Sequence, residues 1–224
     1  MANVLLGVTG SVAALKTPGL YGRLQSLGHA VKVVATQASL YFFDPAAIDP
    51  LDPAQPERNP AAVVLDKDEW PDHGDGRRYE RGDDVLHIEL RRWANLLLIA
   101  PLDANTLGKL AAGLADNCLT CVWRAWDAER PIVLAPAMNT MMWRHPATAR
   151  CLRQIAQDAG APPTPPDMRE NDLVDWINAK CPHLRVAAPE NRRLACGDVG
   201  IGALADLDAV ARLVQSLLDA GRPR

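Results

Sequence analysis

With 224 residues and 48% hydrophobic content, the chain has the size and apolar fraction of one α/β domain with a sizeable core. A formal net charge of -3, from 24 Lys+Arg against 27 Asp+Glu, leaves no basic excess to recruit nucleic acid. No apolar run reaches the roughly 18 residues of a membrane span, and the run "NVLLGV" is too short and lacks the basic flank of a secretory signal.

The elements follow in chain order. Asn3–Val8 reads as a short buried strand that ends in "GVTGSVAALK", a glycine turn leading into a helix stopped by Gly28. Val31–Ala35 is a second, β-branched strand. Asp44–Asp84 is polar and rich in Pro, Asp and Gly, with one short apolar run at Ala61–Leu65. Ala94–Ala100 and Pro131–Ala135 are continuous apolar runs, as expected of strands buried on both faces. Helical patterns occupy Asn105–Gly113, Asp116–Trp126, Ala147–Ala159 and Leu207–Ala220. Residues 161–185 carry "PPTPP" and the helical pattern "DLVDWINA". Segments 44–84 and 161–185 are expected as insertions, surface excursions from the main unit. Alternation of strand and helix predicts an α/β fold: a doubly wound, Rossmann-like parallel sheet in a single domain spanning 1–224.

Three loops carry ligand chemistry. "GVTGS" lies between strand and helix, where backbone N–H groups attract phosphate and Gly10 and Ser11 permit close approach. Alone, it is equally a plain strand-to-helix turn. It is neither GxGxxG nor a P-loop. After the second strand a dinucleotide binder places an acid for the ribose; here "ATQAS" offers the hydroxyls of Thr36 and Ser39 instead. One phosphate without an adenosine half fits a mononucleotide such as FMN. In "APLDANTLGK", Asp103, Asn105 and Thr106 sit at a helix start, where capping alone explains one of them. "APAMNTMMW" holds three of the chain's 5 methionines and reads either as a packed turn or as the wall of a site. Asn139, an amide among apolar neighbours, needs a partner. The 5 cysteines are odd in number and lack a disulfide rhythm, which suits a reduced, cytoplasmic chain. Cys118 and Cys121 form CxxC within a helical pattern, with no second ligand pair, so no metal is expected.

The pieces "GVTGSVAALK", "VLHIELRRWANLLLIAPLDANTLGKLAAGLADNCLTCVWRAWD", "APAMNTMMWRHP" and "ACGDVGIGAL" together resemble the phosphopantothenoylcysteine decarboxylases, within the flavin-containing cysteine decarboxylases. The resemblance implies FMN as cofactor and decarboxylation of 4'-phosphopantothenoylcysteine to 4'-phosphopantetheine, a step towards coenzyme A. It implies a homotrimer with active sites at subunit interfaces, and neither nucleic-acid nor membrane partners. Carried over by residue, cofactor contacts fall on Gly10, Ser11, Val12, Thr36 and Ser39, on Asp103, Ala104, Asn105 and Thr106, and on Ala137, with Phe42 as the aromatic near the flavin ring. The substrate contacts fall on Asn139, which takes the substrate carboxylate, and on Arg193, Ala195 and Leu204. His87 and Cys196 fall on the catalytic histidine and on the cysteine of a flap.

The implied chemistry is coherent. A carboxylate leaves only if its electrons have a sink, and oxidation of the substrate thiol to a thioaldehyde creates one. His87 then acts as a base or orienting group, and Cys196 supplies the final proton. Where the family often has Met, this chain has Leu204, a swap that keeps volume. Residues 161–185 exceed what many relatives carry before the flap. A regulatory, phosphatase-inhibiting relative of the same fold is the alternative; such chains carry long polar extensions and an acidic tail, whereas this one ends "DAGRPR" and holds both His87 and Cys196.

Overall fold

A computed structural model describes residues 1–48, 62–70, 76–193 and 199–220. Six strands, β1 (Asn3–Val8), β2 (Ala30–Ala35), β3 (Val63–Leu65), β4 (Leu96–Leu102), β5 (Ile132–Pro136) and β6 (Leu184–Val186), form one parallel sheet in the order β3-β2-β1-β4-β5-β6. β1 is central: Asn3 to Val8 pairs with Ala30 to Ala35 on one side, and Val4 to Gly7 with Leu96 to Ile99 on the other.

Both faces of the sheet are covered, which is why its strands read as unbroken apolar runs. Leu5, Val34, Leu97 and Ile99 point to one face, beneath α2 (Leu86–Trp93), α3 (Ala104–Ala112), α4 (Cys118–Arg124), α6 (Pro146–Asp158) and α7 (Glu170–Lys180). Val4, Leu6, Val8, Leu96 and Leu98 point to the other, beneath α1 (Thr17–Ser26) and α8 (Leu207–Ala220). The short α5 (Thr140–Trp143) follows β5, and a separate antiparallel hairpin is made by β7 (Glu190–Arg193) and β8 (Val199–Ala203). The expected doubly wound, Rossmann-like sheet is therefore what the chain forms.

Three expectations need correction. Segment 44–84 is not wholly a surface excursion. Val63–Leu65 is an edge strand paired in parallel with β2, and the 3-10 turn Asp66–Glu69 after it buries Glu69 to 3% exposure. Nor is 161–185 an excursion: α7 seats Leu173, Val174 and Ile177 in the core, and β6 closes the other edge of the sheet. In both cases the apolar stretch is short, and the surrounding Pro, Asp and Gly mask it. The third correction concerns "ANLLLIA". Ala94 N–H donates to Leu90 O at 3.1 Å and ends α2, so the strand begins at Leu96 rather than at Ala94.

The chain winds outward from β1 through β2 to β3, then crosses back through α2 to β4 on the opposite side of β1. At such a switch point the loops after the two central strands diverge and leave a crevice. Thr9, fully buried, ties the ends of the two strands together. Its hydroxyl donates to Pro101 O at 2.8 Å and accepts from Asp103 N–H at 2.7 Å, and its own N–H donates to Pro101 O at 3.2 Å. Thr9→Val keeps the shape but leaves the Asp103 N–H without its acceptor. The expected cost is about 1–3 kcal/mol, seen as a melting temperature lowered by several degrees, and a variant as stable as the parent protein would show the bridge to be dispensable.

Candidate functional site

Each loop at the crevice is built by local bonds that the sequence dictates. After β1, Ser11 caps a 3-10 turn, Val12–Lys16, its hydroxyl accepting from Ala13 N–H at 3.3 Å. Gly10 has no room for a side chain: a Cβ there would stand 2.8 Å from Ala38 Cβ. After β4, the Asp103 carboxylate accepts from Thr106 N–H at 2.8 Å and caps α3, which ends at Gly113 in the left-handed region (φ 68°). After β5, the Asn139 side-chain oxygen accepts from Met141 N–H at 2.8 Å and caps α5. That bond commits Oδ1 to the helix start and fixes the orientation of the amide.

These loops enclose a cavity of about 500 Å³, within the range of ligand pockets. Gly10, Ser11, Val12 and Phe42, the α3 start at Asp103, Ala104 and Asn105, and Ala137, Met138, Asn139 and Leu204 all line it. The sequence-predicted residues Thr36, Ser39 and Thr106 lie behind the cavity rather than on it. All three are buried, and the Ser39 hydroxyl is committed to Thr36 O at 2.7 Å. Thr36 Oγ1, buried, meets no hydrogen-bond partner among the described residues. The "APAMNTMMW" stretch divides in two: Trp143 is core, with Nε1 bonded to Asn171 at 3.1 Å, while Met142 lines the cavity and Met141 is 74% exposed.

The hairpin closes the site from above. Met138 N–H donates to Gly202 O at 2.9 Å, and Gly202 adopts φ 138° directly against the Met138 carbonyl, a place only glycine can take. Arg193 ends β7; Ala195 and Cys196 lie outside the described residues.

His87 is placed differently. It sits in the first turn of α2, away from the residues that line the cavity. Its Nδ1 is 2.5 Å from Glu69 Oε1, and its side chain is 19% exposed. Around the pair stand Asp66, Cys118 and Cys121. Burial pushes the Asp66 carboxyl above its usual range, although Gln37 N–H, bonded to Oδ2 at 2.8 Å, pulls the other way. Burial first, and the adjacent Glu69 second, push the Cys118 thiol far up, so it stays protonated. Thr9 and Glu69 are residues that sequence reasoning missed. The first is hidden inside the glycine motif; the second lies in the acidic run "DKDE", which reads as solvated.

The family model described as Flavoprotein matches residues 1–219. The chain belongs to the flavoprotein family. It is 40% identical over 217 residues to a phosphopantothenoylcysteine decarboxylase of Mus musculus, covering 96% of this chain and 87% of that protein. It is 41% identical over 216 residues to one of Oryza sativa subsp. japonica, covering 94% and 80%. Among solved structures, a Cys-to-Ser mutant of PPC decarboxylase complexed with pantothenoylaminoethenethiol superposes with a TM-score of 0.75 at 38% identity, covering 97% of this chain and 98% of that one. The FMN-binding protein AtHal3 superposes with a TM-score of 0.72 at 38% identity, covering 99% of both. The site accepts a flavin mononucleotide on its own chemistry. The crevice offers glycine and capped-helix N–H groups for one phosphate, a side chain at Gly10 would crowd it against Ala38, and no acid follows β2 at a ribose position.

Proposed function

We propose that the chain is an FMN-dependent phosphopantothenoylcysteine decarboxylase, converting 4'-phosphopantothenoylcysteine to 4'-phosphopantetheine in coenzyme A biosynthesis. The observation that carries this reading is that Asn139, held as a helix cap, shares one cavity with the phosphate-suited loops at Gly10–Ser11 and Asp103–Asn105. Gly10, Ser11, Val12, Ala104 and Asn105 would hold FMN, with Phe42 beside the ring, Ala137 at the wall, and Thr36, Ser39, Asp103 and Thr106 shaping the loops. When bound, FMN supplies a two-electron acceptor for the substrate's thiol end and returns the electrons once carbon dioxide has left.

The chain's own residues do the rest. His87 takes the thiol proton or orients the thiol. The Asn139 amide donates to the substrate carboxylate and holds it where departing electrons flow towards the oxidised sulfur end. Leu204, which lines the cavity, excludes water on the substrate side, and Arg193 and Ala195 are the further substrate contacts that the resemblance implies. Cys196 gives the last proton to the enethiolate. The enethiol complexed with a Cys-to-Ser mutant of a relative supports placing that thiol after carbon dioxide loss.

His87 stands off its own chain's cavity, so a complete site calls for His87 of a neighbouring copy. Val12, Leu15, Tyr41, Met141 and Met142 expose apolar surface around the same region, a composition that suits a buried interface. We therefore read the enzyme as a homotrimer with active sites at subunit boundaries. A cytoplasmic location suits its unpaired Cys118, Cys121, Cys151 and Cys181. No described helix is long and apolar enough to cross a membrane.

The direct test is purified protein with 4'-phosphopantothenoylcysteine. It should be yellow, release FMN on denaturation, form phosphopantetheine, and have a solution mass three times the 24.3 kDa chain. Release of FAD, or full activity in a stable monomer, would contradict it. Asn139→Asp retains the cap but sets an anion against the substrate carboxylate, at a cost on the order of several kcal/mol. FMN content should hold while turnover falls at least a hundredfold, and normal turnover would remove Asn139 from carboxylate binding. Cys196→Ser should release carbon dioxide and accumulate the enethiol without phosphopantetheine, whereas His87→Asn should do neither. Phosphopantetheine formed at the parent rate by Cys196→Ser would mean that the proton comes from elsewhere.

A further inference from the structure

Glu69 is an anomaly on ordinary grounds. A carboxylate 3% exposed is costly unless paired, and it lies in a surface-like acidic turn 18 residues before the histidine that it meets. Two anchors hold it there. β3 pairs with β2 immediately before the turn, and Asp66 of the same turn accepts Gln37 N–H at the end of β2. Its Oε1 faces His87 Nδ1, and the Cys118 thiol lies beside the same carboxylate. The charged and titratable groups that act around Glu69 are Asp66 on the turn and Cys118 and Cys121 on α4, and α2 itself also carries Glu89, Arg91 and Arg92. Glu89 and Arg92 are engaged with each other at 2.5 Å. Cys118 stays a neutral thiol, so the group beside Glu69 that can take up positive charge is the His87 imidazole.

The geometry points to Glu69 as a positioning residue for His87: its carboxylate holds the proton on Nδ1, fixes the ring, and turns Nε2 with its lone pair towards the substrate. This rests on the decarboxylase reading above. An ionised carboxylate only accepts, so the nitrogen facing it must donate. When the substrate S–H bond breaks, its proton forms the Nε2–H bond and the electron pair stays on sulfur. The resulting imidazolium is then paired with a carboxylate already in place. Loss of this partner leaves a histidine free to adopt the other tautomer, with its proton on the wrong nitrogen, a defect that costs an enzyme turnover rather than binding.

The test is nitrogen-15 NMR of histidine-labelled FMN-loaded enzyme, with the His87 signal identified by its loss in His87→Asn. Unmutated protein should show Nδ1 protonated and Nε2 as the bare nitrogen; the reverse overturns the inference without any Glu69 variant. In Glu69→Gln the amide can either accept from Nδ1–H or donate to a bare Nδ1, so the tautomer is no longer fixed and the form with a bare Nδ1 should gain population. The value of kcat should fall roughly tenfold to a hundredfold while KM and FMN content stay within about threefold, and Glu69→Asp should recover part of the loss. A fall in kcat without a tautomer change, or equal losses in FMN content and melting temperature, would assign Glu69 a packing role only and defeat the proposal. If Glu69→Gln keeps full kcat while His87→Asn is inactive, the positioning role fails and the decarboxylase reading stands. If unmutated protein forms no phosphopantetheine, the decarboxylase reading itself fails, and the tautomer measurement still decides the Glu69–His87 contact.

Discussion

The buried hydroxyl of Thr9 is the point on which the site depends. It joins the ends of β1 and β4, the strands between which the chain reverses direction, by accepting from one loop and donating to the other strand. Backbone groups at diverging strand ends have no ladder partner, and in a dry interior an unpaired one is expensive. Thr9 provides that partner from within the sheet. The Gly10–Ser11 turn and the Asp103 cap are thereby set at a fixed separation, and the crevice between them is preformed rather than assembled around a ligand.

The third wall is fixed by a different device. Asn139 and Gly202 belong to distant parts of the chain, yet Met138 N–H bonds Gly202 O and the absence of a Cβ lets the two backbones touch. The cap that orients the Asn139 amide and the strand that carries the hairpin are therefore one packed unit. Rigid support of this kind places a polar group within a fraction of an ångström without spending binding energy on it.

The sheet was legible where its strands are long and buried on both faces: β1 matches its apolar run residue for residue, and α8 its helical stripe. The short edge strands were not, because three residues such as Val63–Leu65 carry too little periodicity to stand out from a Pro- and Asp-rich surround. The loops of the cavity were legible because glycine and capping residues announce themselves locally. Thr36 and Ser39 were named for their hydroxyls, but a sequence does not say which hydroxyls are already committed, and that of Ser39 is. Glu69 was invisible for a related reason. Its partner is remote in sequence, and nothing in "DKDE" distinguishes a solvated acid from one folded under a helix.

The way Glu69 and His87 are held also bears on how such a chain can change over generations. Each sits at the edge of a regular element: the glutamate just past β3, the histidine just inside α2. Their meeting is set by the sheet and by the packing of α2, not by the length of the polypeptide that runs between them. The described residues 76–84 are therefore open to substitution at little penalty to the pair. By contrast, a one-residue slip of β3 against β2 would shift the turn that carries the acid away from its anchor at Gln37. Drift should accumulate in residues 76–84 and be purged at Glu69 and His87 themselves.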